Sequence, residues 1–206
     1  MKRPILILII ATTGLFSCKQ NSKSTPATVD VETVNTIRKY EYADSMGKRL
    51  IIENSFSRGG SYTDSNGKEY SKIMFWTRII NETEKPLELN IDLPVNTYEV
   101  PTLPGKYFKI LIPSDTMTLD KEPLQDYGKK DLKSFLDNSI HKSSSLKRTI
   151  IPKESSSFYV VTLFNKGVDG TLRTGLSLKE QNIFYRINDK EIHCGKINLK
   201  NLILQK

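Results

Sequence analysis

Leu87-Glu88-Leu89-Asn90-Ile91-Asp92-Leu93 alternates apolar and polar residues without a break. Side chains of an extended strand point to opposite faces in turn, so this period of two fits a strand with one face buried and one in water. The run before it, Ile73–Ile80, is rich in aromatic and β-branched residues. Asn81-Glu82-Thr83-Glu84-Lys85-Pro86 between the two is a turn cluster, so they read as neighbouring antiparallel strands. Asn66-Gly67 predicts a type I′ hairpin tip between Tyr62 and Tyr70. Asp169-Gly170 predicts another, joining Phe158–Phe164 to Thr171–Leu178, and Asn188-Asp189 turns Ile183–Ile187 into Ile192–Ile197. Arg49–Phe56, Tyr107–Ile112 and Thr149–Ile151 have strand character as well. About nine short strands separated by turn residues predict an all-β fold, an antiparallel β-sandwich.

One stretch departs from this period. Within Asp131–Ile140, Leu132, Phe135, Leu136 and Ile140 recur at helical spacing. The spacing predicts a short amphipathic helix inside a polar insertion at about 114–147, packed over one end of the sandwich. Phe75 and Trp76 are adjacent on a strand and must face opposite ways. One belongs in the core; the other is exposed or lies under the insertion.

Composition bounds the chemistry. The 206 residues give room for one domain, and 37% hydrophobic with 26% charged residues describes a folding chain, not a disordered one. Two cysteines exclude a disulfide-stapled mini-protein and a cysteine-rich zinc site, and two histidines leave little for a histidine-based metal centre. No glycine pattern for a nucleotide occurs, and no cofactor or metal is expected. The net charge of +8 is scattered, with no basic and aromatic stripe, so no nucleic-acid partner is expected.

The N-terminus reads as an address. Lys2 and Arg3 precede the unbroken apolar run Ile5–Ala11. A membrane-crossing helix needs about 20 apolar residues; this run instead fits the ~7–15-residue core of a secretory signal. Leu15-Phe16-Ser17-Cys18 resembles the bacterial lipobox, with Phe16 departing from the small residue usual at that place. The resemblance implies cleavage before Cys18, a diacylglyceryl group on its sulfur and an acylated amine. Several acyl chains hold a membrane firmly where one does not. Residues 1–17 are then a lipoprotein signal peptide, 18–28 a flexible polar tether, and 29–206 a single β-sandwich domain.

Lipid on Cys18 leaves Cys194 without a disulfide partner. His193 beside it suggests a nucleophile and its base, but strand neighbours point to opposite faces, so Cys194 is expected as a small buried hydrophobe. Ser57-Arg58-Gly59-Gly60-Ser61 is the most suggestive loop. It reads either as a backbone nest for an anion or as a flexible hairpin approach with Arg58 in solvent. With Tyr62 and Tyr70 flanking them, Arg58, Gly59 and Gly60 are the candidate binding residues. Asp115, Asp120, Glu122, Asp126, Asp131 and Asp137 concentrate carboxylates in the insertion, where a pair could bind calcium or cleave a glycosidic bond, but seven basic residues among them make the stretch read as a solvated surface.

Asn81-Glu82-Thr83, together with Ile151-Pro152-Lys153-Glu154 leading into Phe158-Tyr159-Val160-Val161, resembles the immunoglobulin-like modules of bacterial lipoproteins. In these a strand ends in an Asn-x-Thr turn and a later strand follows a Pro-x-Glu turn. The chain is similar above all to lipoproteins of Bacteroidota that carry no known activity. Asp44-Ser45-Met46 and Asp115-Thr116-Met117 resemble the O-glycosylation pattern of that phylum, which makes Ser45 and Thr116 candidate modification sites. Some surface-exported members carry an acidic run after the lipid cysteine, and none follows Cys18. The expectation is a non-catalytic binding or accessory module on the outer membrane, facing the periplasm. Its partners would be the membrane through its lipid and an envelope protein or glycan. The alternative is an envelope hydrolase with an unrecognised active site.

Overall fold

The computed structural model describes residues 36–44, 46–100, 103–165, 167 and 172–198. Among them are twelve strands: β1 (Thr36–Ala43), β2 (Arg49–Ser55), β3 (Arg58–Thr63), β4 (Glu69–Asn81), β5 (Leu87–Leu93), β6 (Tyr98–Glu99), β7 (Tyr107–Leu111), β8 (Ser144–Ile150), β9 (Ser155–Phe164), β10 (Thr174–Lys179), β11 (Asn182–Ile187) and β12 (Lys190–Asn198). One α-helix, α1, spans Leu132–Ser139, preceded by two short 3-10 turns at Leu119–Lys121 and Gln125–Gly128. The first sheet runs β1-β2-β4-β9-β7-β6, and β3 pairs with β4 beyond the end of β2. The second runs β10-β11-β12-β5-β8. The strand ladders are antiparallel, so the all-β expectation holds.

The two sheets face each other across a shared core. Leu87, Leu89, Ile91 and Leu93 are buried while Glu88, Asn90 and Asp92 are exposed, as the alternation requires. Opposite them stand Leu50, Ile52, Phe75, Phe158, Val160 and Phe164. Each such side chain contributes roughly 1.5–3 kcal/mol by leaving water. Gly195 is required where β12 meets β5, because a Cβ there would lie 2.3 Å from the Asn90 carbonyl oxygen.

The predicted pairing of Ile73–Ile80 with Leu87–Leu93 is corrected: β4 lies in the first sheet and β5 in the second. The turn between them crosses from sheet to sheet because Asn81 holds it there. Its side-chain amide donates to the carbonyls of Lys85, at 2.8 Å, and Ile150, at 2.9 Å. Its side-chain carbonyl accepts from the Thr83 N–H, at 3.0 Å, and the Thr83 hydroxyl, at 2.7 Å. Its backbone N–H donates to Glu154 O and its C=O accepts from Lys153 N–H. The Asn-x-Thr and Pro-x-Glu turns are therefore bonded to each other, and these two crossings between the sheets meet at Asn81.

The hairpin expected between Phe158–Phe164 and Thr171–Leu178 is corrected likewise. β9 is in the first sheet, and β10 pairs with β11 in the second; Asp169-Gly170 lies outside the described residues. The other edge of β10 is closed by side chains of the first sheet. Asn54 Nδ2 donates to Leu176 O and its Oδ1 accepts from Leu176 N–H; the Tyr42 hydroxyl bonds both polar groups of Leu178. Those bonds satisfy groups that would otherwise template pairing with another chain.

The turn at Asn66-Gly67 joins β3 to β4 as expected, but not as type I′, because only Gly67 has a positive φ, of 79°. Asp64 O accepts from Gly67 N–H, and the Asp64 carboxylate accepts from Asn66 and Lys68 N–H. Asp44 is bonded in the same way to Met46, Gly47 and Lys48 between β1 and β2. The sequence repeats Asp-Ser-x-Gly-Lys at the two tips. The insertion is shorter than expected at its end, since β8 starts at Ser144.

Replacing Asn81 with Ala removes its four side-chain bonds and strands buried partners. We expect a loss of about 3 kcal/mol or more, read as a lower urea midpoint with unchanged slope. A variant as stable as the parent would contradict this account of the corner.

Candidate functional site

The outer face of the first sheet is apolar, and the insertion covers it. Met74 and Trp76 of β4, Leu111 of β7, and Tyr159, Val161 and Leu163 of β9 point away from the shared core. Met117, Tyr127, Leu132, Leu136 and Ile140 of the insertion pack on them. α1 thus sits over a sheet face, not over an end of the fold. Phe75 is in the main core and Trp76 lies under the insertion, both fully buried.

The insertion contains a strained run. Asp126, Tyr127 and Gly128 have φ of 46°, 51° and 70°. Left-handed backbone costs a non-glycine residue of order 1 kcal/mol or more and persists only where surroundings enforce it. Here they do. The Arg58 guanidinium lies 3.9 Å from the centre of the Tyr127 ring and donates to the carbonyls of Leu124 and, at 2.6 Å, Glu122. Lys72 Nζ pairs with Asp126 at 2.6 Å. The Tyr159 hydroxyl donates to Tyr127 O, and the Tyr127 hydroxyl donates to Phe56 O.

These contacts relocate the candidate binding residues. Arg58 is neither in a nest nor free in solvent; it is a clamp on the insertion. Gly59 and Gly60 are not a loop but part of β3, paired with Ile73 and Lys72. Tyr62 is buried, donates to Asp137 Oδ1 at 2.6 Å and has its ring centre 5.8 Å from that of Tyr70. Burial, then the bond to Asp137, raises the Tyr62 pKa. The same bond, then Lys133, holds the Asp137 carboxyl below its usual range. Tyr70 is half-buried beside the Lys68 ammonium, 5.0 Å from its ring centre.

The insertion's carboxylates do not converge on a cation site. Asp115 and Asp131 flank Lys129, Asp126 meets Lys72, and Asp137 meets Lys133. Burial pushes the Lys129 pKa down, but its two carboxylates more than offset this and leave it raised. Beside them is an open hollow of about 440 Å³ whose lysines include Lys72, Lys129 and Lys133, each already paired. Among the described residues no three His, Cys, Asp or Glu side chains group as metal ligands.

Cys194 faces the core, with its sulfur 3.5 Å from Ile183 O, and burial pushes its thiol up to about 12. His193 is on the opposite face, against Phe184. The two are not a nucleophile and its base. Thr116 is exposed at a single bridge to Phe158, and the Asp115 before it is tied to Lys129. Ser45 and Cys18 lie outside the described residues. No helix among the described residues is long and apolar enough to cross a membrane. Comparison with protein-family models, with curated proteins and with solved structures gave no match.

A buried thiol with a raised pKa is held in its unreactive protonated form. Cys194 should therefore resist dithionitrobenzoate in the native protein and react fully in guanidinium, with or without His193→Ala. Rapid labelling of the folded protein would contradict its burial.

Proposed function

We propose that the chain is a lipid-anchored, non-catalytic binding or accessory module of the bacterial cell envelope, built on an immunoglobulin-like sandwich. The scaffold reading is supported by two facing antiparallel sheets and by the Asn-x-Thr and Pro-x-Glu turns bonded at Asn81. The anchoring reading is supported by Lys2, Arg3, the apolar run and the lipobox-like Leu15–Cys18. Lipid on Cys18 would hold the domain at the outer membrane facing the periplasm, within reach of an envelope protein or glycan.

The observation that carries the binding reading is the strained Asp126-Tyr127-Gly128 run clamped by Arg58 and Lys72. Backbone strain that the surroundings hold in place supports a functional face beside it, because a preformed surface binds without a further ordering cost. The hydrolase alternative has the insertion's carboxylates as its support, and four of them are engaged by lysines.

The test is photo-crosslinking in native membranes labelled with a fatty acid. The parent should take up label and Cys18→Ala should not. A benzoylphenylalanine at exposed Leu124 should capture a partner, whereas one at exposed Lys147, on the outer face of the second sheet, should not. Equal capture at both positions would overturn the binding face, and an unlabelled parent would overturn the anchor.

A further inference from the structure

Three lysines are buried where the insertion covers the first sheet: Lys72 of β4 is 7%, Lys109 of β7 5% and Lys129 of the insertion 7% exposed. Lys72 and Lys129 each have a carboxylate. Lys109 has none among the described residues. The alternation of β7 sends Phe108 and Ile110 into the main core and Lys109 outward beneath the insertion. Its Nζ donates to Ile140 O, the carbonyl at the C-terminal end of α1, at 2.6 Å. That partner uses one of three N–H groups and supplies no counter-charge. A buried ammonium without a carboxylate is costly, and burial pushes the Lys109 pKa down.

Lys109 lines a hollow of about 340 Å³, distinct from the one beside Tyr62. The hollow has Lys68 and His141 as further groups that carry or can take positive charge, and no Asp or Glu in its wall. Tyr70 and Tyr107 are the aromatic residues of its lining, and Tyr107 is 42% exposed. Asn165 Oδ1 accepts from the Tyr107 N–H at 2.7 Å and fixes that wall. The volume lies at the lower end of small-molecule sites, about 300–1,000 Å³. Beside the buried Lys109 ammonium an anion is screened less than it would be in bulk water.

We propose that this hollow binds a small ring-bearing carboxylate, with Lys109 as its counter-ion, His141 and Lys68 at the rim, and Tyr70 and Tyr107 against the ring. The proposal rests on reading this face as a binding surface, and it names the ligand chemistry. A single buried ammonium matches a single carboxylate. The ring body is selected by the two tyrosines and the carboxylate by the absence of any acid in the wall.

The test is calorimetric titration of the full chain in a non-ionic detergent with galacturonate, with galactose as its neutral counterpart, and with 4-hydroxybenzoate. At least one carboxylate should bind tenfold or more tighter than galactose. Galacturonate as the tighter of the two identifies a sugar acid, and 4-hydroxybenzoate an aromatic one. Lys109→Met should lose at least tenfold in affinity. Because it also removes the bond to Ile140, Tyr107→Ala serves as the variant that leaves packing intact; it should lose about fivefold with an unchanged melting temperature. Neither carboxylate outbinding galactose, or affinity unchanged in both variants, would overturn the proposal. If capture at Leu124 persists while the carboxylates fail, the ligand class alone falls. If they bind and capture fails, the partner reading falls and the hollow stands.

Discussion

Asn81 is the constraint on which the rest of the arrangement depends. It ends β4, the long strand of the first sheet, and its four side-chain bonds tie that end to the β4–β5 turn and to the last residue of β8. Its backbone bonds then hold the turn that starts β9. Two crossings between sheets pass through this corner, so it sets β4 beside β9 and β5 beside β8. An asparagine serves because it offers two donors and a carbonyl in one short planar group. A buried amide with every partner present fixes one geometry, whereas loss of any partner leaves a desolvated polar group.

The pairing of β4 with β9 creates the outer face. Met74, Trp76, Tyr159 and Val161 are too apolar to leave in water, and the insertion covers them. Its hold on the sheet is polar at the margins. Arg58 and Lys72 reach out from the β3–β4 hairpin, and Lys109 reaches from β7 to the end of α1. The lysine without a carboxylate lies where the cover leaves a hollow. The cover and the hollow are thus two consequences of the same face.

Much of the fold was legible from residue patterns. The alternation at Leu87–Leu93, the spacing of Leu132, Phe135, Leu136 and Ile140, and the opposition of Phe75 and Trp76 read directly as burial. Strand partnership did not. Runs close in sequence were read as hairpins, while the partners of β4 and β5 were settled by a side chain bonded 69 residues away. β1 was missed because Arg38, Lys39 and Glu41 interrupt its apolar residues, and β6 because it is two residues long. The signal for the first hairpin is the repeated Asp-Ser-x-Gly-Lys, which stands at its tip as at the second. The site was less legible still. Arg58 and Tyr62 were found as notable residues, but their engagement with Tyr127 and Asp137 depends on contacts more than 60 residues apart. Lys109 carried no motif, because its hollow is assembled from well-separated segments.

The central claim is that the insertion is a preformed part of the folded module and not a loose loop. Native-state amide hydrogen exchange tests it most directly. The amides of Tyr127, Phe135 and Ile140 are bonded within the insertion, and that of Trp76 is bonded to Ser55 on β2. If the insertion is clamped as described, its amides should exchange through the same global opening as Trp76, with protection within about tenfold of it. Exchange of Tyr127 and Ile140 about a thousandfold faster than Trp76 would show local opening and contradict a rigid face.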